Sequence, residues 1–234
     1  MSIQYPLVEA PASAPLARRL TLGEEVVKFI RTKPLGAAGA VVILAMMFVA
    51  AFAGTLARYD PYQGDYSLQF ARPSAEHWLG TDEFGRDLLT RIMYGARIAL
   101  FVGFTASFAG CTLGALLGVL SAYWGGTVDL LLERLMDILL AFPQLILALA
   151  IASILGPAVQ NVVVAITIPI VPRVARVVRA TALSVKEHQY VEAVQALGAR
   201  RWRVVFQHIV PNVMTPYLIM LTAQLGGAIL AEAA

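Results

Sequence analysis

The chain has 234 residues, 59% of them hydrophobic and only 14% charged, with a formal net charge of +3. A soluble domain averages about 45–50% apolar and about 25% charged, and the excess here is gathered in blocks, the pattern of an integral membrane protein. A single cysteine, Cys111, excludes a disulfide framework within the chain, and three scattered histidines, His77, His188 and His208, give no Cys/His cluster suited to a metal.

The chain starts with Glu9 and three early prolines and lacks the basic-then-apolar opening of a cleavable signal peptide. An uncharged run over 35–57 follows, and its 23 residues would extend about 34 Å as a helix, enough to cross a hydrocarbon core of about 30 Å. Residues 58–97 are polar and close to neutral, with five basic and six acidic side chains. Within them Thr81 or Asp82 can cap an amphipathic helix with Leu88, Leu89, Ile92 and Met93 on one face and an i,i+4 pair, Asp87 and Arg91, on the other. Such a helix would brace the bundle or offer a docking surface.

A second span is predicted over 98–122, ended by Gly125-Gly126. Gly110, Gly114 and Gly118 share one of its faces, either for tight helix packing or for a close-packed wall of a substrate path. The uncharged run 138–172 is too long for one span, and Gly156-Pro157 breaks it into a helical hairpin. The second arm reaches about residue 178, with Pro169 and Pro172 as kinks, and a fifth span covers 214–231. The fold class is therefore all-α, a polytopic transmembrane helix bundle.

Basic residues orient it. Arg18, Arg19, Lys28, Arg31 and Lys33 precede the first span, and seven more lie between Arg173 and Arg203. Five spans with the N-terminus in the cytoplasm put both basic regions inside and the near-neutral 58–97 segment outside. The spans hold no charge away from their ends, which disfavours a proton- or ion-coupled carrier. No lysine follows a glycine, so no phosphate-cradling loop exists, and neither H-E-x-x-H nor G-x-S-x-G occurs. The chain is therefore expected not to be an enzyme, and to draw any energy for transport from another chain.

Between the fourth and fifth spans lies a basic segment. Residues 183–194 read as a helix with a Ser184/Glu187 capping box, Gly198 ends it, and residues 200–210 read as a second helix carrying Trp202, Val205, Phe206 and Ile209. Pro211 opens the last span. Such an elbow must lie on the membrane, cover the bundle or dock into a partner.

Glu192-Ala193-Val194, then Gly198, then Val210-Pro211 resembles the E-A-A cytoplasmic loop of ABC-transporter permeases, with Val194 for the second Ala, His208 at an Ile position and Val210 for Leu. The run from His77 to Asp87, followed by Arg91 and Tyr94-Gly95-Ala96-Arg97, resembles the L-G-T-D-x-x-G-R-D signature of the second permease of dipeptide/oligopeptide/nickel importers. Residues 183–190 and 226–234 match the same subgroup, so the resemblance runs from about Pro34 to the last residue. It implies a MetI-like permease fold with five spans present of an expected six. Residues 170–174 depart from the subgroup's usual Gly-Trp-Pro-x-Tyr run.

The resemblance further implies a permease core over 98–234 with its coupling loop at about 180–211. Glu192, Ala193, Val194 and Gly198 would dock on an ATPase, while Trp202, Phe206 and Pro211 would support the loop. Trp202 either holds the elbow to the bundle or touches the ATPase. Gly80, Thr81, Asp82, Gly85, Arg86, Asp87, Arg91 and Arg97 form the extracytoplasmic signature. Implied partners are a sister permease, two ATPases carrying ATP and Mg, an extracytoplasmic binding protein and lipid, with no nucleic acid and no cofactor or metal in this chain. The expected place is a bacterial or archaeal inner membrane, and the expected cargo is a peptide or similar small solute. A stand-alone channel or secondary carrier is the alternative.

Overall fold

The computed structural model describes residues 21–233, so Arg18, Arg19 and Ala234 lie outside the described residues. Its regular elements are helices, joined by one isolated bridge, Thr81 to Asp87. The chain divides into two compact units between Met46 and Met47, each considered by itself.

The first unit opens with α1 (Leu22–Thr32), which the sequence analysis did not anticipate. The Glu24 carboxylate accepts from the Thr21 backbone N–H at 2.9 Å, which satisfies one donor at the helix start. Val26, Phe29 and Ile30 fall at helical spacing and are exposed, so α1 is amphipathic. Pro34 then opens α2 (Pro34–Ala51), where its missing N–H costs nothing. The helix is free of charge and stops short of the predicted 35–57 span, because the chain breaks at Phe52 before the short α3 (Ala53–Leu56).

The second unit holds the bundle. Its longest element is α4 (Leu88–Trp124), a single helix of 37 residues. The sequence predicted a separate amphipathic helix before a span beginning at residue 98, but nothing between Arg91 and Arg97 breaks a helix, and Gly95 alone costs only about 1 kcal/mol. The helix ends where predicted, at Gly125, whose φ of +63° continues poorly as helix.

The expected third span is bent. Amphipathic α5 (Gly126–Leu140) and apolar α6 (Gln144–Leu155) meet at an 89° bend around Pro143, which lacks an N–H and disfavours helix in the residue before it. At 12 residues α6 extends only about 18 Å and cannot cross a bilayer core unaided. Four helices are long and apolar enough to span, α2, α4, α7 and α10, or five spans if the bent pair acts as one.

The hairpin turn at Gly156 (φ +89°) forms as predicted, with Asn161 Nδ2 donating to the Leu155 and Gly156 carbonyls. Helix α7 (Val159–Lys186) runs through Pro169 and Pro172 and past the predicted limit, so Arg173, Arg176 and Arg179 all lie inside it. After α8 (Gln189–Ala196) and α9 (Arg201–Val204), the backbone widens into a π turn, Val205–Ile209, and passes directly into α10 (Val210–Glu232).

The core lies between α4 and α7, and the glycine face makes it. A Cβ at Gly110 would stand 2.9 Å from the Ile170 side chain, and one at Gly114 would stand 2.7 Å from the Val171 carbonyl oxygen. A Cβ at Gly118 would collide with the Ala175 carbonyl. The three glycines thus bring α7's backbone against α4, the packing reading of the stripe. Gly103 admits Ile229 of α10 in the same way, and Thr112 meets the Tyr217 hydroxyl at 3.1 Å.

Candidate functional site

Two built regions stand at opposite ends of α4. The first is the irregular segment leading into its N-terminus. Asp87, not Thr81 or Asp82, caps the helix: its Oδ2 accepts from the Thr90 N–H at 2.8 Å, while Oδ1 meets His77 Nδ1 at 3.0 Å. The predicted Asp87–Arg91 pair is replaced, because Arg91 turns back to Asp82. Asp82 also accepts from the N–H groups of Phe84 and Arg86 and from Arg86 Nε at 2.8 Å. Thr81 is buried, its hydroxyl placed between the Leu68 carbonyl and the Ala71 N–H.

The glycines of this signature have a backbone role. Gly80 and Gly85 adopt φ of +79° and +70°, and a Cβ on either would strike a carbonyl, that of Ala71 or Asp65. Burial alone would raise the Asp82 carboxyl, but its two backbone N–H donors and the Arg86 guanidinium outweigh it and hold the group below the usual carboxylate range. Asp87 behaves alike: burial opposes ionisation, and Thr90 and His77 overcome it. Arg97 is exposed on α4, away from this knot. Beside the knot, Leu56, Arg58, Trp78, Asp87 and Met93 help line a recess of about 380 Å³.

The second region is the elbow. The structure moves its first helix: α7 continues to Lys186, so the Ser184/Glu187 capping box does not form, and α8 starts after His188. Gly198, at φ +81°, donates to the Gln195 carbonyl at 2.9 Å and turns the chain. Glu192 and Ala193 are exposed and Val194 is half-buried, while Val191 is fully buried beneath them. Glu192 makes no ion pair with another described residue. Leu197, at the tip, is 88% exposed.

Trp202 and Phe206 were expected to hold the elbow to the bundle, yet they are 58% and 63% exposed. They stack on each other, Trp202 meets Trp124 of α4 edge-on at 5.4 Å, and both border an apolar groove of about 330 Å³ along α4 and α10. The residues that seat the elbow are the buried Val191, Val204, Val205 and Ile209. Tyr190 ties its halves together, packing on His208 at 5.9 Å and accepting from Asn212 Nδ2 at 3.2 Å. Pro211 is exposed in the first turn of α10, which does not break there.

Between these ends lies a charge ladder that the sequence analysis missed. Asp129, Glu133 and Asp137 recur every four residues on α5 and face Arg176 and Arg179 of α7. The Asp129–Arg179 contact is bidentate, both bonds 2.6 Å, and Ser121 also donates to Asp129. The i,i+4,i+8 spacing of the acids was the legible signal.

A multi-helix membrane bundle with a helical elbow set outside its spans defines the class: a polytopic transport-type membrane protein. The model of the binding-protein-dependent transport system inner membrane component matches residues 114–234, and that of the N-terminal TM domain of oligopeptide transport permease C matches residues 21–73. The chain is 41% identical over 210 residues to a dipeptide transport system permease protein of Alkalihalophilus pseudofirmus, covering 90% of this chain and 69% of that one. It is 36% identical over 207 residues to a glutathione transport system permease protein of Pectobacterium atrosepticum, covering 88% and 68%. It is 34% identical over 216 residues to an oligopeptide transport system permease protein of Bacillus subtilis, covering 92% and 71%. The chain belongs to the family of binding-protein-dependent transport system inner membrane components, the membrane permease subunits of ABC importers.

Proposed function

We propose that this chain forms part of the translocation path for dipeptides, oligopeptides or similar small solutes, and that its elbow docks into a cytoplasmic ATPase subunit. The observation that carries the reading is the outer face of α8: Glu192, Ala193 and Leu197 are exposed at a turn whose underside is seated by Val191, Val204 and Ile209. The small Ala193 permits close approach, Leu197 supplies apolar area, and Glu192 has no ion pair with a described residue to give up on docking. The transported class rests on the relatives named above, whose cargoes are a dipeptide, glutathione and oligopeptides.

In this reading a sister permease completes the path, two ATPases bind ATP and Mg, and an extracytoplasmic binding protein delivers cargo to the end that carries the Asp82–Asp87 knot. This chain itself performs no catalysis and holds no cofactor. Its N-terminal segment and elbow, with Lys28, Arg31, Lys33, Arg200, Arg201 and Arg203, lie on the cytoplasmic side of a bacterial inner membrane.

The test is co-purification from gently solubilised membranes, comparing wild type with Glu192→Arg. ATPase subunits should accompany the wild type and be depleted by the charge reversal. Equal recovery with both chains would remove the elbow as the docking site, and no ATPase with either would remove the coupled reading.

A further inference from the structure

Three arginines follow one another on α7 at i, i+3 and i+6: Arg173, Arg176 and Arg179. The last two are paired with the acids of α5. Arg173 has no ion pair or hydrogen bond with a described residue, because the acidic row ends at Asp137 and the chain then turns away at Pro143. A cation within a spanning helix is costly when it faces lipid, and such residues mark water-filled paths or bound anions.

The exposed Arg173 borders a cavity of about 480 Å³ between α6, α7 and α10, which Gln144, Ala148, Gln224 and Gly227 also line. Arg173 and Gln144 border a second hollow as well, of about 340 Å³, at the α5–α6 bend. Gln224 is only 7% exposed, and its Nε2 has no hydrogen-bond partner. That nitrogen is sealed from the cavity, so the polar side chains left to meet a ligand are Arg173 and Gln144, which border both hollows. A guanidinium and a side-chain amide set side by side recognise a carboxylate. The volume falls within the range of small-ligand sites.

We infer that the α6–α7–α10 cavity is a subsite of the translocation path that binds the C-terminal carboxylate of a peptide, held by Arg173 and by the Gln144 amide. The inference rests on the importer reading and deepens it.

The test uses the assembled transporter in nanodiscs, with Gly227→Cys as reporter. A Cβ at Gly227 meets nothing closer than Gln224 Oε1 at 3.9 Å, so the cysteine fits, and the native Cys111 is fully buried and gives no background. Labelling by a water-soluble maleimide is followed with a dipeptide acid, or with its C-terminal amide at equal concentration. The acid should slow labelling about tenfold and the amide should not. Arg173→Gln should abolish protection, and Arg173→Lys should retain it in part. If Arg173→Gln fails to assemble, Gln144→Leu takes its place and should weaken protection. Equal protection by acid and amide, no protection, or protection that survives the substitutions would each overturn the inference. Peptide uptake by the wild-type complex is measured in parallel: uptake without protection sinks this subsite alone, whereas absence of uptake sinks the importer reading.

Discussion

Gly114→Ala tests the contact on which the bundle depends. The added Cβ would lie 2.7 Å from the Val171 carbonyl oxygen and 2.8 Å from Val174 Cβ, where ordinary contact begins at 3.4 Å. The closest atom is backbone, so no rotamer change relieves the clash, and α4 and α7 must separate locally by several tenths of an ångström. Overpacking of this kind costs about 1–3 kcal/mol. For a chain of this size each kcal/mol lowers a melting midpoint by about 2–4 °C, which gives a fall of roughly 2–12 °C. Gly226→Ala is the control, since a Cβ there meets nothing within 4 Å. Thermal unfolding of the purified complex in one lipid or detergent, followed by tryptophan fluorescence or aggregation onset, reads both variants. A Gly114→Ala midpoint indistinguishable from that of Gly226→Ala would refute the glycine-mediated approach of the two helices.

Three further outcomes are expected. Asp82 and Asp87 ionise below the ordinary carboxylate value of 3.8, so the stability they confer is complete above that pH and fades as pH falls through their lower folded values; hydrogen exchange across residues 58–97 should stay protected at pH 5 and loosen only below about pH 4, and Asp82→Asn should loosen it at pH 7. A double-mutant cycle of Arg179→Ala with Asp129→Ala should give a coupling of about 1–2 kcal/mol in thermal unfolding, since the pair is bidentate and about three-quarters buried. Gly198→Ala forces a side chain into a left-handed backbone at φ +81°, so it should cost about 1 kcal/mol and reduce ATPase recovery while the bundle still folds, as read by proteolysis of the elbow.

Much of the bundle was legible because apolar length and glycine position report directly on helices and their breaks. The turns at Gly125, Gly156 and Gly198 fell where the sequence put them. The failures have common physical causes. Proline at 143 was read as one more apolar position, although its geometry decides the α5–α6 bend. Asp87 and Arg91 satisfy i,i+4 spacing, but a folded-back loop brought Asp82 nearer, and tertiary geometry outbid local spacing. Trp202 and Phe206 have the period of a buried face, yet period alone does not say whether protein or surroundings will cover it. The pairing of His77 with Asp87 and the isolation of Arg173 depend on which segments meet, which no local pattern reveals.

The π turn at Val205–Ile209 has a mechanical consequence. It lets Arg201 to Glu232 continue for 32 residues as one helical run of roughly 48 Å, with Pro216 the one proline inside α10 beyond its first turn. The other half of the elbow, α8, joins that run through the hydrogen-bonded turn at Leu197, Gly198 and Ala199 and through Tyr190, which meets His208 and Asn212. A displacement at Arg201 therefore passes into the bundle along one continuous helix, whereas one at Glu192 must first cross the Gly198 turn or the Tyr190 contacts. The two halves of one short segment differ in how directly they are joined to the bundle.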